Sequence, residues 1–326
     1  MFIKMNNKTK TLLARVDLSV AFGSFLKQLE KDYPLLGPIK SCRPITEGYE
    51  DANFLFETSR NKYVLKIFAK TRSILNIKSY SKLLVGAQKA KVQSLQPIRG
   101  KNGYLGKIKQ TRFVITEFFI GRNFRNSTPS LLDIRIITKE LVKLNSLNFK
   151  FYESYDSWSN AHLVCEFKKN KNKLDQATVN YLDPTVKALN KLNTRGFSRS
   201  IIHGDLQPLH IFKNNQGRYC LIDYGCARND YLVYELSTFL AWFCLLKKNW
   251  QRRKAIFSYV IDTYTKTHKL SKQEIDSLPL LIKAAYAAYY LKTKLLIGGG
   301  DRSKQTRDWF KQAEKMLGLV RSHSLS

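Results

Sequence analysis

Residues 200–225 read SIIHGDLQPLHIFKNNQGRYCLIDYG and set two aspartates, Asp205 and Asp223, among apolar neighbours. An ionised carboxylate in core-like surroundings is costly unless it is paired, hydrogen-bonded or bound to a cation. Asp205 follows His203-Gly204, Asp223 follows Leu221-Ile222, and His210 stands between them. The runs HIFKN and YCLIDYG flank Asn214-Asn215-Gln216-Gly217, the composition of a tight turn between paired strands. A hairpin of this length brings residue 223 back to the end of the ribbon that residue 205 enters. His210, at the start of the first strand, lies close to both. Any fold this chain adopts must therefore gather two carboxylates and an imidazole at one point.

The rest of the pattern is α+β. Residues 18–33 have helical spacing, with Asp17 or Ser19 as candidate caps, and YPLLGP ends that helix. From Ile39 the pattern changes to strands: IKSCRPITEG, NFLFETS and KYVLKIFAK, the last two joined by a turn at Ser59-Arg60-Asn61. A helix over Ile74 to Ala90 comes next, then a strand pair, GYLGKI and TRFVITEFF, turning near Lys109-Gln110. After Gly121 helices dominate, around Leu131–Leu147, around Asp175–Leu192 and from Tyr231 onward, interrupted by the hairpin between Asp205 and Asp223. The layout predicts a small β-rich N-lobe over residues 1–120, a connection at Glu117 to Gly121, and a larger helical C-lobe over 121–326.

At 326 residues with 44% hydrophobic and 12% aromatic composition, the chain can bury a full core in two lobes. Cys42, Cys165, Cys220, Cys226 and Cys244 are scattered, without a C-x-x-C pair, which suits reduced thiols in a cytoplasmic protein. The N-terminal stretch lacks the apolar core of a signal peptide, and no run reaches the roughly 18 apolar residues of a membrane span. The net charge of +31 is the most unusual total. It favours anionic partners: phosphorylated small molecules, nucleic acid or an anionic membrane surface. Thr58 to Thr116 carries 14 Lys or Arg and no acidic residue, so a basic face is expected there.

The stretch HGDLQPLHIF…LIDYGCAR resembles the catalytic and metal-binding loops of the aminoglycoside phosphotransferase and choline kinase group, small-molecule kinases with a protein-kinase-like fold. ITEGYEDANFLFETSRNKYVLKIF is similar to the opening strands of that group, VITEFFIG to its hinge, and DYLVYELSTFL to the helix after its metal loop. The resemblance implies an ATP- and Mg²⁺-dependent phosphotransferase with a bilobal protein-kinase-like α+β fold and a small-molecule hydroxyl acceptor. In that scheme Asp205 is the catalytic aspartate. Asp223 binds Mg²⁺ with help from His210, where most of the group has Asn. Lys66 meets the α- and β-phosphates, Gly48 lies in the turn that covers them, and the backbone of Glu117, Phe118 and Phe119 meets the adenine. His203 and Glu235 support the catalytic loop, and Tyr286, Tyr289 and Tyr290 line the acceptor pocket.

Three departures stand out. The group pairs its strand lysine with a glutamate on the following helix, yet ILNIKSYSKLLVGAQ has no carboxylate. Glu47, Glu50, Asp51 and Glu57 are the candidate substitutes. The phosphate-covering turn offers Gly48 alone, and Asn145 stands where relatives often carry histidine. An alternating strand also leaves a structural alternative for Lys66, the outward residue of an edge strand. The competing reading is a catalytically impaired pseudokinase or binding module whose basic surface docks nucleic acid or an anionic membrane. On charge, a polycationic aminoglycoside suits so basic a chain poorly. A neutral or anionic acceptor, such as a sugar, an amino alcohol or a lipid-linked glycan, suits it better.

Overall fold

The structure is a computed structural model that describes residues 7–46, 48, 50–245 and 250–322. It divides into two compact units, one running to Arg122 and including Lys150–Ser154 and Phe212–Ile222. The other comprises Asn123–Phe149, Tyr155–Ile211 and the chain from Asp223 onward.

The first unit begins with α1 (Asn7–Leu13) and α2 (Phe22–Asp32). The caps expected at Asp17 or Ser19 are not used. The N-cap of α2 is Ala21, without a side-chain bond, while the Ser19 hydroxyl and the Asp17 carbonyl both engage Thr111. Strands β1 (Ile39–Ile45), β2 (Ala52–Thr58) and β3 (Lys62–Ile67) precede α3 (Ile74–Lys89). Ser73 caps α3 by accepting from the Asn76 amide. Strands β4 (Leu105–Ile108) and β5 (Thr111–Glu117) complete an antiparallel sheet of order β1-β2-β3-β5-β4, and a short β6 (Arg122–Asn123) follows.

Because successive strand side chains alternate between faces, Tyr63, Leu65 and Ile67 enter the core against Phe22, Phe25 and Leu29 of α2. Phe22–Phe54 and Phe25–Phe113 ring contacts tie helix to sheet. Lys66 therefore belongs to the opposite face, where the Tyr80 ring of α3 lies 5.5 Å from its Nζ. β3 is a central strand, paired with β2 and β5, so the edge-strand alternative for Lys66 does not hold.

The second unit is built on α4 (Leu131–Asn145), α5 (Leu163–Asn170) and α6 (Gln176–Asn190). Strand β7 (Arg199–Ile202) leads to His203-Gly204-Asp205; β8 (Ile211–Lys213) and β9 (Tyr219–Leu221) form the expected hairpin, most of which belongs to the first unit. β10 (Arg228–Tyr231) pairs antiparallel with β7, a ribbon that the sequence pattern does not announce. Then come α7 (Leu232–Phe239), a π-turn at Leu240–Cys244, α8 (Trp250–Thr265), α9 (Lys272–Gly298) and α10 (Lys304–Ser322). α9 is the buried axis, packing against α6, α7 and α10. Capping boxes start α4 (Ser130, Asp133) and α9 (Ser271, Glu274). The five cysteines are free thiols. Among the described residues no helix is long and apolar enough to cross a membrane.

Candidate active site

The β7–β10 ribbon sets the local geometry. Ile202 is opposite Arg228, so His203-Gly204-Asp205 leaves one strand beside the point where Cys226-Ala227 enters the other. Gly204 has φ +81°, and a methyl built on it would collide with the Cys226 carbonyl and come within 2.7 Å of Arg228 Nη1. Only glycine meets both demands. Glu235, from α7, accepts the His203 and Gly204 amides on Oε2. Burial is the larger influence on this carboxyl and pushes it up to about 7 in spite of those bonds. His203 is wholly buried, with its ring against Tyr224, and Arg228 is held by Asp230 and Ser159. Asn145 is buried between the Ile201 carbonyl and the Tyr264 hydroxyl.

These braces hold Asp205, His210 and Asp223 together. Asp205 Oδ1 accepts from Gln207 Nε2 at 2.8 Å and from the Tyr289 hydroxyl at 3.1 Å. His210 Nδ1 donates to the Asp205 carbonyl oxygen at 2.7 Å and lies 3.5 Å from Asp205 Oδ2. That bond puts a hydrogen on Nδ1, so in its neutral form His210 would present the Nε2 lone pair to Asp223 Oδ2, 3.8 Å away. Two acceptors facing each other suit a cation between them. Asp223 itself is left-handed (φ 63°, ψ 66°), and its side chain is 45% exposed. Burial raises the Asp205 carboxyl, countered by His210 and reinforced by Asp156 and Asp223.

Lys66 has its own constellation in the first unit. Its Nζ is 2.8 Å from Asp51 Oδ2, and their side chains are 13% and 2% exposed. Asp51 Oδ1 accepts from Arg72 Nε at 2.8 Å and from the Ala69 amide at 3.0 Å. Arg72 in turn reaches Glu50 and Asn76, while Glu57 pairs with Lys62. Glu47 lies outside the described residues. Gly48, at φ +111°, gives its carbonyl to Arg15. The Glu117 amide donates to the Gln96 carbonyl and the Phe118 amide to the Lys62 carbonyl, while Phe119 lies against Gly121.

Of the three tyrosines, the structure brings Tyr289 to Asp205. Tyr286 is fully buried with its hydroxyl on the Ala241 carbonyl, and Tyr290 packs against Tyr181 and Phe310. Tyr289 stands in an aromatic group, 5.1 Å from Trp158, which is in turn 5.5 Å from Trp309. Asp156 caps its own turn through the Trp158 amide, and its charge raises both Asp205 and the Tyr289 hydroxyl. Lys292 Nζ lies 6.0 Å from the Trp158 ring.

A model of the phosphotransferase enzyme family matches residues 41–259. The chain belongs to that family. The phosphotransferase is 25% identical over 272 residues to the homoserine kinase of Parvibaculum lavamentivorans, covering 80% of this chain and 81% of that one. Among solved structures, spectinomycin phosphotransferase in complex with ADP and spectinomycin aligns with a TM-score of 0.65 at 11% identity, covering 94% of this chain and 100% of that one. An amicoumacin kinase in complex with AMP-PNP and Ca²⁺ aligns at 0.65 and 14% identity, covering 97% of each chain. The fold is that of these small-molecule kinases. The phosphotransferase thus moves a phosphoryl group to the hydroxyl of a small molecule.

Among the described residues no three His, Cys, Asp or Glu side chains form a ready metal cage. Mg²⁺ commonly takes one or two carboxylates and completes its octahedron with water and phosphate oxygens. Asp223 would supply the hard oxygen for such an ion, and His210 Nε2 lies 3.8 Å from its Oδ2. Sequence reasoning passes over Gln207, Asp156, Trp158 and Lys292 around Asp205. The one signal for Asp156 and Trp158 is an aromatic two residues after an acidic one in the polar stretch ESYDSWSN.

Proposed function

We propose that the phosphotransferase is an ATP-dependent kinase for a small amino alcohol that also bears a carboxylate, homoserine being the leading example. The observation that carries this is the placement of Asp156 and Lys292 around the Trp158 and Tyr289 rings beside Asp205. Opposite charges around one aromatic wall suit a zwitterion, with Asp156 meeting the ammonium and Lys292 the carboxylate. The curated relative named above carries the same activity in its name. A zwitterion has no net charge to oppose the basic field of the chain.

Gln207 and Tyr289 hold Asp205 Oδ1, which directs the acceptor hydroxyl to Oδ2. There Asp205 orients the nucleophilic oxygen and takes its proton as the bond to phosphorus forms. The raised carboxyl makes it a better proton acceptor than an ordinary aspartate. Lys66 meets the α- and β-phosphates, and Gly48 lies in the turn over them. With two of the segment's amides engaged elsewhere, adenine recognition falls to the Glu117 carbonyl and the Phe119 N–H. Asp223 and His210 would hold Mg²⁺, which neutralises charge on the β- and γ-phosphates when bound.

The test is ADP release at saturating Mg-ATP across homoserine, serine, choline, ethanolamine and a neutral sugar. Homoserine should give the highest kcat/KM, and Asp205→Ala should lower kcat about 10³-fold. Equal release by wild type and Asp205→Ala would remove the catalytic assignment. A preference for choline, which lacks a carboxylate, would remove the zwitterion reading. If Mg-ATP gives neither a thermal shift nor turnover with any acceptor, the binding-module alternative is favoured.

A further inference from the structure

The helix after the lysine strand has no carboxylate to steady Lys66, and the structure supplies another. We propose that Asp51 is the positioning residue of the phosphate-binding lysine, tying Lys66 to Arg72 and the β3–α3 connection. This inference rests on the reading of Lys66 given above.

Two observations support it. Asp51 is nearly inaccessible, and each of its oxygens is committed: Oδ2 to Lys66 Nζ, Oδ1 to Arg72 Nε and the Ala69 amide. Its position is therefore set by the sheet and by the β3–α3 connection, before any ligand arrives. Burial alone would raise the Asp51 carboxyl. Lys66 and Arg72 outweigh it and keep the group below the usual carboxylate range, so Asp51 stays charged.

Second, Arg72 carries the restraint onward. Its Nη1 donates to Asn76 Oδ1 at 3.0 Å, in the first turn of α3, and Asn76 Nδ2 donates to the Tyr152 carbonyl at 2.8 Å. The link from lysine to helix that relatives make with one glutamate is here a relay, Lys66–Asp51–Arg72–Asn76. An ammonium has three N–H donors. The bond to Asp51 fixes the direction of that ammonium.

A positioning residue acts through the group it positions, so the decisive experiment is a double-mutant cycle on Lys66→Met and Asp51→Asn. In the wild-type background Asp51→Asn should raise the KM for ATP at least fivefold and lower kcat more than tenfold. In the Lys66→Met background the same change should alter kcat/KM for ATP less than twofold. Asp51→Glu, which keeps the charge, should recover most of the ATP KM. Equal losses in both backgrounds would show that Asp51 acts only on folding and would overturn the proposal, as would full activity of Asp51→Asn. If Asp51→Asn does not fold, Asp51→Glu and Arg72→Lys are compared instead. The proposal then requires both to raise the ATP KM while leaving the acceptor KM within twofold, and equal rises in the two KM values overturn it. Wild-type turnover is the control for the underlying reading. If wild type shows no Mg-ATP-dependent turnover, that reading fails; if it does and the cycle is additive, the Asp51 role alone fails.

Discussion

The surroundings of Lys66 and of Asp205 both fix a charge that the proposed reaction would use, and they do so by opposite means. Around Lys66 the restraint is ionic: a buried aspartate bonded to a lysine and an arginine, with a backbone amide to complete it. Around Asp205 it is mostly backbone and neutral donors: Gly204 at positive φ, two amides on Glu235, and Gln207 and Tyr289 on Oδ1. The difference follows from what each charge must do. A lysine ammonium is permanent at working pH and needs only direction. A catalytic carboxylate must gain and lose a proton, and a fixed cation locked against it would depress its basicity. Burial with carboxylate neighbours, Asp156 and Asp223, keeps it raised instead.

The contrast can be broken in order of expected effect. If the Asp205 cage is rigid backbone, Gly204→Ala should cost about 4 kcal/mol, combining a left-handed alanine with a backbone collision. The urea midpoint reads this, and an unchanged midpoint would mean that the loop yields. Next is Glu235, whose ordinary value is 4.5 and whose folded value is about 7. Because the folded value is raised, its contribution to stability is complete below pH 4.5 and is lost as pH rises through 7. Relative to wild type, Glu235→Gln should therefore gain about 3 kcal/mol between those limits. Denaturant curves at pH 4.5, 6 and 8 check this, and a difference that does not change with pH would mean that Glu235 carries no shifted proton. The smallest effect sharpens the ionic side. Lys62 and Glu57 pair at 2.9 Å on the same sheet as Lys66, but with 47% and 38% exposure. Lys62→Ala should cost less than about 1 kcal/mol. A loss as large as that of an Asp51 variant would mean that burial is not what makes the Asp51 pair matter.

Much of this is legible from the chain alone. Alternation in NFLFETS and KYVLKIF, the turn at Asn214-Gly217 and the helical spacing of Leu131–Leu147 all mark elements that form, because each pattern matches a single period. The β7–β10 ribbon is not legible, since RSII and RNDY are four residues each, 25 residues apart and weak in strand formers. Four acidic residues stood as substitutes for the missing helix glutamate. Choosing Asp51 requires its burial and the direction of Arg72, which no spacing encodes. The tyrosines of α9 pose the same difficulty: the helix is apolar nearly all round, so periodicity cannot separate Tyr289 from Tyr286 and Tyr290.

Asp223 has a further consequence. A non-glycine residue in the left-handed region carries about 1 kcal/mol of conformational strain, which glycine would relieve. Its identity thus sets chemistry against folding. Glycine at position 223 would relieve that strain and at the same time remove the carboxylate that the proposed ion needs.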